Sequence, residues 1–237
     1  MNARLFCGTI LVLCGLVSLG CNNGPGRPSP GAETMRPDRI TDFSRLYPQN
    51  CSACHGADGQ HGPAIALANP VYQAIVDESR LRDVITNGEP GTLMPAFAQS
   101  AGGMLTDEQV NALVAGIRSR WYQAGILNGA DAPPLKTDKQ GDAANGEQVF
   151  ATHCASCHSV QKQNTKSISI TDGSFLALVS DQSLRVTIIA GRPDLGHPDW
   201  RNALPGHPMS DQDVTDVVAW MASQRQKTPG QPYPSHQ

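Results

Sequence analysis

The chain has 237 residues, and its 18 basic and 21 acidic side chains give a formal net charge of −3 at pH 7. That length suits one large domain or two small ones, and the absence of a basic stripe excludes a nucleic-acid-binding protein. Aromatic residues make up only 5% of the chain, so two small domains would need a metal, a disulfide or a bound cofactor to complete their cores.

The N-terminal segment predicts export from the cytoplasm. Arg4 precedes an apolar run over residues 5–19 that is too short to span a bilayer, so residues 1–20 are predicted to be a signal peptide. Gly20 before Cys21 resembles a bacterial lipobox, in which the cysteine is lipidated and becomes the mature N-terminus; an ordinary signal peptide cut nearby is the alternative. Residues 21–38 are then a lipid-anchored flexible tether. The expected location is the bacterial cell envelope, on a membrane and facing the periplasm or the cell exterior.

Two copies of a five-residue cysteine motif, called here a cysteine word, follow in the chain. C-S-A-C-H occupies residues 51–55 and C-A-S-C-H occupies residues 154–158, and no cysteine lies outside these words and the N-terminal segment. C-x-x-C-H is the attachment word for c-type haem, in which both thiols add to the haem vinyl groups and the histidine becomes the proximal iron ligand. The sequence therefore predicts two covalently bound haem c groups. The attachment and proximal residues are Cys51, Cys54, His55, Cys154, Cys157 and His158.

Zinc is the alternative for these thiols, because two C-x-x-C pairs can form one zinc site. Such pairs usually lie about 15–20 residues apart, whereas Cys154 follows Cys51 by 103 residues. The spacing favours haem.

A shift of 103 residues also aligns much of the rest of the chain without a gap, for example Ile65 with Ile168 and Gly88 with Gly191. The chain is therefore predicted to consist of two homologous modules. In each, a short helix precedes the cysteines, a middle helix covers about residues 71–86 or 174–190, and a last helix begins after Thr106 or Ser210. Both caps are followed by acidic residues in the first turn, which favours a helix start.

This pattern resembles the class I cytochromes c over residues 40–121 and 143–225. The resemblance is carried by C-x-x-C-H, by M-P-A-F at 94–97 and by L-T-D-E-Q before the last helix. It implies an all-α fold of two tandem domains, each a small helical fold around one haem. The expected boundaries are residues 39–125 for the first domain, 126–142 for a linker, 143–226 for the second domain and 227–237 for a flexible tail.

In that family a glycine on the first helix lets the last helix approach, with an aromatic residue across from it. Gly146 and Trp220 fit this arrangement in the second module. The first module has Phe43 and Gly116 at the matching places. We expect that the helices still cross there with the two sizes exchanged, because a core tolerates changes in total volume least.

The family also implies a distal ligand for each iron. Met94 lies 39 residues after His55, and the 103-residue shift places His197 at the same distance from His158. Met209 is the rival for the second iron, and a surface His197 beside an open iron is a third possibility. A Gly-Pro carbonyl usually accepts from the proximal histidine; Gly62-Pro63 matches, while Thr165-Lys166 stands at that place in the second module.

The predicted function is electron transfer between redox partners of a bacterial respiratory chain. No residue set is typical of a catalytic or small-molecule substrate site, so the chain is predicted to be a carrier rather than an enzyme. Its partners would be a membrane, through Cys21, and redox proteins such as a respiratory complex or oxidase, with no nucleic acid. Two alternatives remain: a di-haem peroxidase, and a fixed cytochrome subunit of a dehydrogenase, nitrite reductase or oxidase complex.

Overall fold

The computed structural model describes residues 35–158 and 170–227. Within these ranges the backbone forms ten α-helices, three short 3-10 turns and no β-strand, which confirms the all-α prediction. The α-helices are α1 (Phe43–Asn50), α2 (Ser52–His55), α3 (Pro70–Ile75), α4 (Glu78–Asn87), α5 (Asp107–Trp121), α6 (Ala143–His153), α7 (Ala155–His158), α8 (Gly173–Leu178), α9 (Asp181–Ala190) and α10 (Asp211–Ser223); the 3-10 turns are Pro37–Arg39, Gln99–Ala101 and Pro193–Leu195.

Several sequence predictions fall outside the described residues. They are the signal peptide, the lipidated Cys21, most of the tether, nearly all of the tail and the Thr165-Lys166 segment. Among the helices that the structure does describe, none combines the length and the apolar character that crossing a bilayer requires.

The last helix of each module begins where its cap predicts. Thr106 accepts from the backbone N–H of Gln109, whose side chain in turn accepts from the Thr106 N–H, so α5 starts with a complete capping box. Ser210 and Asp213 form the same reciprocal pair at the start of α10. These caps fix the residue at which the last helix of each module begins.

Both pairs of terminal helices cross at a glycine, as expected. A Cβ added to Gly146 on α6 would lie 2.0 Å from the backbone oxygen of Asp216 and 2.8 Å from the Cβ of Trp220 on α10. In the first module a Cβ on Gly116 of α5 would lie 2.0 Å from the Phe43 ring of α1. The glycine and the aromatic residue have exchanged helices between the modules, and the close crossing is kept.

The middle helix of each module differs from the prediction, because it is broken into two. In the first module α3 ends at Ile75 and α4 begins after Asp77, whose side chain accepts from the Arg80 N–H. In the second module Ser180 caps α9 in the same way by accepting from Ser183. A short polar side chain that bonds the backbone of the next turn favours a new helix start over continuation.

The two modules pack against each other, since residues from Asp38 onward form one compact unit. Val71 of α3, which is 7% exposed, belongs to the hydrophobic core of the second module together with Val149, Ile189 and Trp200. Next to it, the buried amide nitrogen of Asn69 donates to the carbonyls of Ala190 and Gly191, at 2.9 and 3.1 Å.

The connecting segment over residues 126–142 is packed along much of its length. Ile126 and Leu127 contact the core of the second module, while Leu135 contacts the core of the first. The Pro134 carbonyl accepts from the buried guanidinium of Arg185. The segment therefore contacts both modules.

Replacing Asn69 with Ala should lower the free energy of unfolding by about 2–4 kcal/mol. The change removes an N-cap acceptor, worth ~1 kcal/mol, and leaves two buried carbonyls of the second module without their donor, at ~1–3 kcal/mol. Asp172 is the matched control, because it caps α8 at the position equivalent to Asn69 but is exposed. Asp172→Ala should lower the free energy of unfolding only by the contribution of the N-cap, ~1 kcal/mol. Equal losses in denaturant titrations of the two variants would contradict the role of Asn69 in the contact between modules.

Candidate haem sites

The two cysteine words have the same local geometry. Helix α1 ends at Asn50, and Cys51 (φ −120°) donates its backbone N–H to the Tyr47 carbonyl before α2 begins at Ser52. Cys154 (φ −117°) likewise follows α6, donates to the Phe150 carbonyl and precedes α7. This break between a long helix and a one-turn helix sets the first thiol of each word at the helix end and the histidine one turn later.

The thiols are placed for attachment to an apolar group. Cys51 and Cys154 are half-buried against the hydrophobic cores of their modules, whereas Cys54 and Cys157 are exposed. Burial raises the pKa of Cys51 to about 12 and that of Cys154 to about 11. Each C-x-x-C-H word therefore places one thiol against an apolar core and the other at the surface.

His55 is held in one tautomer. The residue is 8% exposed, and its Nδ1 lies 2.8 Å from the Ile65 carbonyl oxygen. A carbonyl only accepts, so Nδ1 carries the hydrogen and Nε2 keeps its lone pair for a metal. Burial is the main cause that lowers the pKa of His55, which favours the neutral ring that binds iron.

The acceptor for His55 is a correction to the sequence analysis, which placed it in Gly62-Pro63. Gly62 has another role, because a Cβ there would lie 2.2 Å from the Cys54 carbonyl oxygen. The loop closes against α2 at this glycine, and Ala64 then donates to the same Cys54 carbonyl at 2.9 Å. This contact carries the chain on to Ile65, whose carbonyl reaches the imidazole.

In the second module the structure brings His158 and His197 together. Their ring centroids are 5.9 Å apart, with an interplanar angle of 44°. Both rings are half-buried, and burial lowers the pKa of each; the neighbouring His158 lowers that of His197 further. Nδ1 of His158 has no hydrogen-bond partner among the described residues.

Met94 and His197 occupy the same place in equivalent loops. Gly88 and Gly191 end α4 and α9 with φ of 73° and 70°, a conformation that favours glycine. The next residue then donates its N–H to the loop's candidate ligand: Glu89 to the Met94 carbonyl at 3.1 Å, and Arg192 to the His197 carbonyl at 2.9 Å. Met94 is half-buried at the end of its loop.

Met209 lies elsewhere, at the position equivalent to Leu105. Each of these two residues donates its N–H to the carbonyl of the loop's aromatic residue, Met209 to Trp200 at 3.0 Å and Leu105 to Phe97 at 2.8 Å. Met209 is 3% exposed and Leu105 is 5% exposed, and each belongs to the hydrophobic core of its module.

Known proteins match both modules. The family model for cytochrome c oxidase, cbb3-type, subunit III matches residues 38–115, and the model for cytochrome c matches residues 143–225. Cytochrome c6 of Diacronema lutheri is 34% identical over 88 residues, which are 35% of this chain and 96% of that protein. The chain belongs to the class I cytochromes c. Each matched range contains one C-x-x-C-H word, so it is a tandem di-haem member with two covalently bound haem c groups, and such haems carry electrons.

Two further relatives of this di-haem cytochrome are longer or more distant. The cbb3-type cytochrome c oxidase subunit CcoP of Azospirillum sp. (strain B510) is 32% identical over 123 residues, 47% of this chain but 36% of that protein. The chain thus spans little more than a third of that relative's length. A chain of the Kuenenia stuttgartiensis reducing HAO-like protein complex Kustc0457/Kustc0458 aligns over 78% of this chain and 96% of its own, with a TM-score of 0.44 and 16% identity.

Sequence reasoning missed the residues that join the two modules of the cytochrome. Asn69 carries a signal, because Asn-Pro commonly starts a helix or turn, but that signal says nothing about Ala190 and Gly191. Arg192 also has a signal in the sequence. The 103-residue shift aligns it with Glu89, so the charge at this position is reversed between the two modules. A reversed charge between repeats would have marked the loop as one with a separate role.

Proposed function

We propose that the two haems of this cytochrome have different distal ligands: Met94 for the first and His197 for the second, opposite His55 and His158. The observation that carries the assignment is the 5.9 Å between the ring centroids of His158 and His197. Imidazole nitrogens bind metals at about 2.0–2.1 Å, so His158 and His197 lie near enough to each other that both would hold one haem iron.

The rival Met209 is poorly suited to the role. Its side chain is buried in the core of the second module, next to Trp200 and Val214, and its backbone is tied to Trp200 before the α10 cap. Moving its sulfur to an iron would open a cavity in that core. Met94 is not constrained in this way, because it lies on a loop and is half-buried.

The consequence is a difference in redox potential between the two haems. A thioether ligand raises the haem potential relative to a second imidazole. Each haem supplies reversible one-electron transfer when bound, and the protein supplies ligands, burial and orientation. Buried imidazoles with lowered pKa stay neutral and able to bind iron at neutral pH.

We infer that the cytochrome works in a bacterial respiratory chain, on the outer face of a membrane to which a lipid on Cys21 holds it. The relatives named as oxidase subunits support this setting. The domains would be residues 39–125 and 143–226, joined by 126–142, with residues 1–20 removed as a signal peptide. A tether over 21–38 would let the haem domains reach a membrane-bound donor and a second redox protein.

Membrane fractionation of the holoprotein tests this setting. Cys21→Ala should move the cytochrome from the membrane to the soluble envelope fraction with both haems retained, because several acyl chains anchor firmly and the variant has no cysteine to carry them. Cys14→Ala is the matched control, since it changes a cysteine of the same segment outside the predicted lipidation site, and it should leave the cytochrome on membranes. Cys21→Ala protein that stays on membranes would argue for an uncleaved N-terminal segment or a membrane-bound partner in place of the lipid anchor.

The same membranes, solubilised in mild detergent, separate the two remaining roles. A cytochrome that purifies without a stoichiometric companion is a carrier between complexes. Isolation of a stable complex with an oxidase or dehydrogenase would make it a fixed subunit. Substantial peroxidase turnover by the purified protein would contradict both roles and favour the di-haem peroxidase.

A further inference from the structure

Arg192 of the second module bonds the loop that holds the proximal histidine of the first. Its guanidinium donates to the Gly62 carbonyl at 3.0 Å and to the Ala64 carbonyl at 3.1 Å. The side chain is 11% exposed, so these bonds are largely shielded from water. A planar guanidinium holds two acceptors in a fixed geometry, and here it fixes two carbonyls of one loop.

Asp194 orients Arg192 and reaches the same loop. Its carboxylate accepts from Arg192 Nε at 3.0 Å and from Nη2 at 2.8 Å, and it also accepts from the His61 backbone N–H at 2.9 Å. The hydrogen bond from Arg192 is the main cause that lowers the pKa of Asp194 to about 2, and the bond from the His61 N–H lowers it further. The carboxylate is therefore ionised at neutral pH: it pairs with Arg192 within the second module and accepts from the His61 N–H of the first.

The loop that receives these bonds continues directly into the support of His55. Gly62 packs against the Cys54 carbonyl, Ala64 donates to it, and the next carbonyl, of Ile65, accepts from the His55 ring. The position of the proximal ligand thus depends on a residue of the other module.

We propose that Arg192 is a positioning residue for the first haem: it fixes residues 61–64 beneath His55, and its charge raises the potential of that haem. The proposal rests on His55 as proximal ligand of the first haem, and not on which residue is the distal ligand of the second. The oxidised haem carries one more positive charge than the reduced haem, so a fixed guanidinium nearby disfavours oxidation. Asp194 offsets part of that charge.

Two substitutions of opposite charge test the proposal in the full-length holoprotein. Arg192→Gln removes the positive charge and should lower the potential of the first haem; at the wild-type midpoint its reduced-to-oxidised ratio should fall about threefold or more. Asp194→Asn keeps the size and an acceptor oxygen but removes the offsetting negative charge, so the same haem should shift upward. A purely structural role would move both variants in the same direction, because each loosens the same contact.

Arg201→Gln is the matched control for the change in net charge. Arg201 lies on the same segment of the second module, pairs with Asp199 as Arg192 pairs with Asp194, and donates to the Ile126 carbonyl. Its hydrogen bonds within the described residues go to Asp199 and Ile126 and not to the loop over residues 61–64. We expect the first haem to keep its wild-type potential in this variant.

Hyperfine-shifted NMR signals of the haems follow each one separately during a redox titration, and they are assigned through contacts with the His55 or His158 ring. Arg192→Lys keeps the charge but loses the two-carbonyl fork, so it should shift the first haem less than Arg192→Gln, and it serves if the glutamine variant fails to fold. An unchanged first haem in Arg192→Gln, a shift no larger than in Arg201→Gln, or shifts of the same sign in Arg192→Gln and Asp194→Asn would overturn the proposal.

Discussion

Gly116→Trp should destabilise the first module by about 3 kcal/mol, because the helix crossing leaves no room for a side chain at this position. A Cβ alone would lie 2.0 Å from Cδ2 of Phe43 and 2.4 Å from its Cγ. Phe43 is itself confined by Tyr47 and Trp121, whose ring centroids are 5.3 and 6.0 Å away. Overpacking of this kind typically costs about 1–3 kcal/mol, and occasionally more.

The control is Ala115→Trp, which adds a large side chain at the neighbouring exposed position of the same helix. Denaturant titration should show it to be close to wild type. The double variant Phe43→Ala/Gly116→Trp should recover much of the lost stability, since it moves the large residue to the other helix, as Gly146 and Trp220 are arranged in the second module. A Gly116→Trp protein as stable as Ala115→Trp, or a double-variant cycle without coupling, would contradict the exchange of sizes.

His197→Met should raise the potential of the second haem and bring it close to that of the first. In the wild type we expect two resolved steps in a redox titration, because axial ligands set haem potentials over a range of about 0.8 V. Replacing the distal imidazole with a thioether removes the difference in ligand type between the haems. Met209→Ala is the control: it should reduce stability by about 2–5 kcal/mol through a core cavity and leave both steps in place. Two coincident steps in the wild type would contradict unequal ligation.

The cofactor and the repeat could be predicted because both are recognised from short motifs of neighbouring residues. Two copies of C-x-x-C-H are enough to indicate two haems, and a shift of 103 residues without a gap carries Met94 onto His197. The helix caps at Thr106 and Ser210 are equally local, because the bonds lie within one turn. The exchange of Phe43 and Gly116 was predictable only through the resemblance to a family in which this crossing is known.

The remaining features depend on contacts between residues far apart in the chain. The Asn69 amide reaches carbonyls 121 and 122 residues away, and no periodicity in the sequence indicates such a pair. In the sequence, Arg192 is typical of an exposed charged residue. Only the fold shows that it contacts Gly62 and Ala64. The sequence analysis placed the hydrogen-bond acceptor of His55 a few residues too early, at Gly62-Pro63. The carbonyl that accepts from His55 is decided by the way the loop closes at Gly62, and not by the Gly-Pro pair itself.

The near-infrared thioether-to-iron charge-transfer band of the oxidised protein tests the unequal ligation of the two haems most directly. Its intensity should correspond to one Met-ligated haem per two haems, Met94→Ala should abolish it, and Met209→Ala should leave it unchanged. A band with the intensity of two Met-ligated haems, half of which is lost in Met209→Ala, would contradict the assignment of His197.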